Sequence, residues 1–137
     1  MKVVKASARP TKVAPADNFT GTVMQDEVVV GVAPSRMRAT SVSFTPGART
    51  AWHSHPVGQT LYVLYGVGRI QKKGEPPIVI SPGDTVFIPP DVVHWHGAAP
   101  DRLMIHLAMS ENTDAGAGTK WMNKVTDAEY ATPAVEP

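Results

Sequence analysis

Helix breakers decide what this chain can become. Thirteen prolines and eleven glycines are spread through its 137 residues, with proline at about twice its usual share. A proline removes a backbone donor and clashes with the preceding helical turn, so no long helical window survives and a helical bundle is excluded. Between the breakers the sequence predicts short strands: Phe19–Met24, Glu27–Val32, Arg36–Phe44, Ala51–His55, Gln59–Tyr65, Val67–Lys72, Ile78–Ile80, Thr85–Ile88, Val92–Gly97 and Leu103–Met109. Within Arg36–Phe44, Met37, Ala39, Ser41 and Ser43 alternate with Arg38, Thr40, Val42 and Phe44. A series of short strands with turn residues between them predicts an all-β sandwich or barrel. The length suits one domain, and size scaling gives it a folded surface of roughly 6,900 Å².

Three stretches are distinguished. Residues 1–18 are polar, contain proline and show no period, as an arm or edge strand would. Residues 19–111 hold the strand series. Residues 112–137 begin as a Gly/Ala/Asn/Thr loop and end in a frayed tail after Tyr130. Between these, Thr126-Asp127-Ala128-Glu129 has the form of a capping box, which predicts one short helical turn.

Composition removes several classes of function. The net charge is +1, only 18% of residues are charged, and Lys72 and Lys73 are the one adjacent basic pair. No basic stripe is present, so no nucleic-acid partner is expected. The absence of cysteine excludes disulfides, thiolate metal sites and a cysteine nucleophile. No apolar run is long enough for a membrane span or a secretory leader, and a cytoplasmic protein with no membrane partner is expected.

Five histidines, His53, His55, His94, His96 and His106, are confined to the middle of the chain. Strand residues two apart share a face, so His53 with His55 and His94 with His96 each present paired imidazoles. An isolated pair of this kind is more often a surface or core feature than a ligand set. Two pairs on separate strands converge only if the sheet folds back on itself, as a barrel does. Gln59 opens the strand after the Pro56-Val57-Gly58 turn and shares a face with Leu61, Val63 and Tyr65. Val42, Phe44, Leu61, Val63, Ile105 and Leu107 are candidate walls or core. Trp52 and Trp95, each beside a histidine, point the other way and are expected to pack between sheets or subunits.

The spacing carries a resemblance. Gly47, five residues, His53-x-His55, three residues, Gln59, six residues and Gly66 resemble the first motif of the cupin superfamily. Gly83, five residues, Pro89-x-Asp91, two residues and His94 resemble the second. The family pattern has Glu at Gln59, Gly at Asp91 and Asn at Ala98. The resemblance implies a single-domain cupin jelly-roll β-barrel of two antiparallel sheets with a short C-terminal helix, and a homodimer or homotetramer. Longer stretches, including Phe19–Val23, Gly47–Pro56, His94–Pro100 and Trp121-Met122, are similar to a subgroup of small bacterial cupins that includes manganese-dependent hydroxynitrile lyases. Carried over residue by residue, this implies His53, His55, Gln59 and His94 as metal ligands, and His96, His106 and Thr50 in the active site. Ser110 departs from the glutamine of the lyase group.

Three imidazoles and an amide oxygen suit one divalent transition ion, Mn(II) first, with Fe(II), Zn(II), Ni(II) or Co(II) as alternatives. Gln in place of Glu removes one negative charge, leaving a stronger Lewis acid. Alternatively, Gln59 has no ligand role and sits in a polar core. His96 reads as a base on the open side of the metal or as support to a ligand histidine, and His106 as a catalyst or a core histidine. The function implied is a hydroxynitrile lyase-type carbon–carbon lyase that cleaves or forms a small cyanohydrin such as mandelonitrile. The other readings are an isomerase, decarboxylase or oxygenase on small oxygenated aromatics, or a non-catalytic metal- or ligand-binding cupin.

Overall fold

The computed structural model describes all 137 residues as two antiparallel sheets packed face to face. The first sheet is formed by β1 (Thr11–Val13), β3 (Val23–Val30), β4 (Met37–Phe44), β7 (Gln59–Gly66), β10 (Thr85–Ile88) and β12 (Met104–Glu111), in the spatial order β1-β3-β4-β12-β7-β10. The second is centred on β11 (His94–Ala98). One edge of β11 pairs with β8 (Gly68–Lys72), which pairs in turn with β9 (Ile78–Ile80). The other edge pairs with β5 (Arg49–Thr50) and β6 (His53–Ser54), placed end to end. β2 (Phe19–Thr20) and β13 (Lys120–Trp121) extend that side. This is the jelly-roll arrangement the sequence implies.

Phe44, Leu61, Val63, Val42, Ile70, Ile80, Ile88, Ala98 and Met104 fill the space between the sheets. Burying one such side chain contributes about 1.5–3 kcal/mol. The two-residue period of each strand selects this face. On β4 the core positions are Val42 and Phe44, and on β7 Leu61 and Val63, while Tyr62 and Leu64 point to solvent.

Particular residues depart from expectation. The predicted strand Phe19–Met24 breaks at Gly21, whose φ of +79° is a left-handed conformation. A Cβ there would lie 2.9 Å from that of Ala48, so glycine is required and the chain passes from one sheet to the other. Tyr65 does not share the inward face of Gln59, Leu61 and Val63. A bulge opposite Ile105 and His106 skips one residue and leaves Tyr65 62% exposed. Ile105 and Leu107 are half-buried on the outer side, while Met104 and His106 on the same strand are fully buried inside.

Trp52 and Trp95 do not pack between the sheets. They lie on the outer face of the second sheet, under the C-terminal segment, in a cluster with Val125 and Tyr130. That segment holds α1 (Asp127–Tyr130), and Thr126 caps it with the reciprocal bonds the motif predicts. Thr126 Oγ1 accepts from Glu129 N at 3.1 Å, and Thr126 N donates to Glu129 Oε1 at 3.0 Å. Tyr130 Oη donates to Ala98 O at 2.6 Å, Trp52 Nε1 donates to Glu129 Oε2 at 3.1 Å, and the buried Arg49 donates to Val125 O and Asp127. The tail thus braces the outer face of the strands that carry the histidines. No helix is long and apolar enough to cross a membrane.

Candidate metal centre and pocket

Strand register brings the histidine pairs together. His53 on β6 is the cross-strand partner of His94 on β11, and Trp121 on β13 is the partner of His53 on its other side. Directly opposed residues project from the same face of a sheet, and the His53 and His94 rings lie 4.2 Å apart. His55, just past the end of β6, lies 5.0 Å from His53 and 5.6 Å from His94. The approach of Gln59 depends on Gly58. Its φ is +82°, and a Cβ there would meet Ile88 O at 2.6 Å. Asp91 adopts φ +62° at a position where the family motif has glycine, and its N–H donates to His55 O at 2.9 Å. Aspartate tolerates this left-handed region better than most residues, which accounts for the departure.

Backbone carbonyls orient the imidazoles. His53 Nδ1 donates to Ala51 O at 2.9 Å and His94 Nδ1 to Val92 O at 2.8 Å. Each ring therefore directs the lone pair of Nε2 away from its own strand, the arrangement found in metal-binding histidines. Nε2 of His55, His94 and His96 and Oε1 of Gln59 are all buried without a hydrogen-bond partner. Buried polar atoms are rarely left so, and four orphaned acceptors facing one space are the signature of a cation site. Ligand nitrogens of His53, His94 and His96 lie within 4.8 Å of one another, a group that can hold a metal ion. The tightest trio therefore contains His96, which the motif reading placed beside the metal rather than on it, and His55 stands slightly further out.

Burial pushes all five imidazoles towards the neutral form, His94 and His106 down to about 4. His53 and His96 fall well below their ordinary value, by burial first and then by the charge of neighbouring histidines. His55 is lowered by burial, with the Gln59 amide opposing. Neutral imidazole is the form that ligates metal.

The site opens into a cavity of about 140 Å³. Thr50, His53, His55, Gln59 and His96 line its floor, and Phe19, Phe44, Val42 and Trp121 its apolar walls. Gln25, Arg38, Thr40, Ala108, Ser110 and Thr119 complete it. His94 and His106 lie behind this lining. His106 reaches the cavity only through His96, whose Nδ1 is 2.9 Å from His106 Nε2. Thr50 Oγ1 accepts from His96 N at 3.2 Å, which leaves its own proton free to donate into the cavity. The Trp121 ring packs against that of His53, tilted by 32° with centroids 4.7 Å apart. Trp121 lies on a two-residue strand inside what reads as a loop and tail, and the resemblance of Trp121-Met122 to the small-cupin subgroup was the signal that set it apart. The row Arg38, Thr40, Val42, Phe44 was visible as an alternation, but not that its outer end lines the cavity.

Residues 40–108 match the model of the cupin domain family. The chain aligns with an (R)-mandelonitrile lyase of Granulicella tundricola, 45% identical over 130 residues, covering 95% of this chain and 98% of that one. The chain is a cupin. Among solved structures, a cupin-like protein from Thermotoga maritima superposes with a TM-score of 0.82 at 43% identity, covering 86% of this cupin and 89% of that chain. A polyketide cyclase from Streptomyces resistomycificus superposes at 0.72 with 18% identity, covering 95% and 90%, and shares the fold.

Proposed function

We propose that this cupin is a metal-dependent lyase of the hydroxynitrile lyase type, cleaving or forming aromatic cyanohydrins such as mandelonitrile. The observation that carries the proposal is the full-length similarity to an (R)-mandelonitrile lyase, coinciding with a buried histidine cluster at the floor of a small aromatic-walled cavity. His53, His55, Gln59 and His94 are the residues that would hold one divalent ion, Mn(II) before Fe(II), Co(II), Ni(II) or Zn(II), and the buried, unpartnered Nε2 of His55 and His94 and Oε1 of Gln59 favour that assignment. When bound, such an ion supplies Lewis-acid polarisation of the substrate oxygen.

The remaining groups divide the work. Phe19, Phe44 and Trp121 hold the aryl ring, and Thr50 donates a hydrogen bond to the substrate oxygen. His96 Nε2 takes the hydroxyl proton while its Nδ1 proton is shared with His106 Nε2. The electron pair of the broken O–H bond becomes the second bond of the carbonyl. The carbon–carbon pair leaves on cyanide, which His96 then protonates. Aldehyde and hydrogen cyanide are the products, and condensation uses the same groups in reverse. Stoichiometric benzaldehyde and cyanide released from mandelonitrile is the expected result; mandelonitrile surviving at the uncatalysed rate with the metal-loaded protein would reject the lyase.

We also infer a homodimer or homotetramer working in the cytoplasm, a setting that a chain without cysteine suits. The isolated chain exposes 7879 Å², against the roughly 6,900 Å² expected of a compact monomer. Val13, Val30, Tyr62, Leu64 and Phe87 are exposed along the first sheet, which supports burial against a second copy.

A further inference from the structure

Arg38 has no partner. The ion pairs of this chain join Arg36 to Asp114, Arg49 to Asp127 and Lys72 to Glu75, and no carboxylate lies within ion-pairing distance of Arg38. Its guanidinium makes no hydrogen bond to any protein group either, although it is half-buried and lines the cavity. Among the lining residues it is the one arginine or lysine, and no aspartate or glutamate contributes. Glutamine rather than glutamate at position 59 removes the one carboxylate that the family motif would have provided. The cavity is therefore positive with nothing to balance it, and a divalent ion would add to the imbalance. A planar guanidinium in a concave, partly dry site is suited to a carboxylate, which it can bind through two parallel hydrogen bonds.

Register gives the distance. Arg38 on β4 is the cross-strand partner of Ser110 on β12, and Ser110 is the partner of Gln59 on β7. Arg38 and Gln59 thus stand at the ends of one row across three adjacent strands, roughly 10 Å apart at the backbone for strands spaced ~4.8 Å. Thr40 and Ser110 flank the Arg38 end with hydroxyls. A molecule whose oxygen meets the histidines at one end places its far end against Arg38.

We propose that Arg38 builds a carboxylate subsite at the outer end of the pocket, so that the preferred substrate is an aromatic carbonyl compound or cyanohydrin bearing an acid group on the ring, away from the reacting carbon. The proposal rests on the reading of this cavity as the substrate site and names the substrate class that reading leaves open.

The test is calorimetric titration of the metal-loaded protein with 4-formylbenzoate and with its neutral isostere 4-formylbenzamide. A desolvated charged hydrogen-bond pair predicts that the acid binds about tenfold or more tightly than the amide. The preference disappears in Arg38→Met, returns in part in Arg38→Lys, and shrinks in high salt. Equal binding of acid and amide by the unmodified protein overturns the proposal without calling on any variant. A preference that survives in Arg38→Met overturns it too, because the carboxylate is then held by the metal site. Mandelonitrile cleavage separates this outcome from the fate of the lyase reading. An Arg38-dependent preference without cleavage leaves the subsite standing and removes the lyase; cleavage without the preference does the reverse.

Discussion

Acid should unfold the metal-free protein through its histidines, and His106 shows by how much. The side chain is fully buried, 0% exposed, with Nε2 against His96 Nδ1. Burial lowers its pKa from 6.5 to about 4. The unfolded chain takes up the proton near the ordinary value, while the folded chain refuses it until about pH 4. The stability tied to neutral His106 is therefore complete above pH 6.5, is lost as the pH falls from there to about 4, and changes no further below. At ~1.4 kcal/mol per pH unit the loss is about 3 kcal/mol from this residue alone, against total stabilities of about 5–15 kcal/mol. His53, His55, His94 and His96 are shifted in the same direction, so the whole protein loses more than one proton's worth. The assay is urea unfolding of chelator-treated protein from pH 7 to 4.5, compared with His106→Gln, which keeps an acceptor for the His96 Nδ1 proton but cannot titrate. The variant's plot of stability against pH should be shallower by up to ~1.4 kcal/mol per pH unit. Parallel plots for the two proteins would refute the argument, since His106 would then bind its proton equally in both states.

Three further outcomes follow from the geometry. His106→Ala should lower turnover of mandelonitrile by about 10²-fold or more while bound metal stays unchanged by elemental analysis, because the proton partner of His96 is lost and no ligand is; unaltered turnover would remove His106 from the chemistry. Tyr130→Phe deletes the hydroxyl that donates to Ala98 O at 2.6 Å and should cost about 1–2 kcal/mol in denaturant unfolding; no change would mean that the C-terminal segment does not brace β11. Gly58→Ala combines a left-handed φ with a Cβ 2.6 Å from Ile88 O. It should destabilise by about 1–3 kcal/mol and weaken metal affinity by displacing Gln59; wild-type values of both would contradict the turn's role in placing the amide.

The fold was legible because glycine and proline forbid helices and the strands alternate with a period of two. The capping box at Thr126 was legible for the same reason: its partners are three residues apart, and local chemistry is enough. What needed the structure was every relation between distant segments. His53 and His94 become neighbours through the register of β6 and β11, which no local pattern specifies. Tyr65 turned outward because β7 itself bulges at Leu64, so counting by twos along β7 placed it on the wrong face. Trp52 and Trp95 point away from the histidines as alternation requires, but the segment covering them lies over 30 residues away in the tail. β13 is too short to give a periodic signal, so Trp121 could be placed in the pocket only once its pairing with β6 was known. His106 shows the same limit: its sequence context left it either a catalyst or a core histidine, and only the fold puts His96 between it and the cavity.

The central claim is that the histidine cluster holds a metal on which cyanohydrin chemistry depends. Its most direct test is mandelonitrile cleavage by one preparation measured as purified, after chelation, and after reconstitution with manganese or its alternatives, with elemental analysis at each stage. The account predicts about one divalent ion per chain, loss of cleavage on chelation and return of cleavage with reconstitution. Full cleavage by protein shown to be free of metal would contradict it.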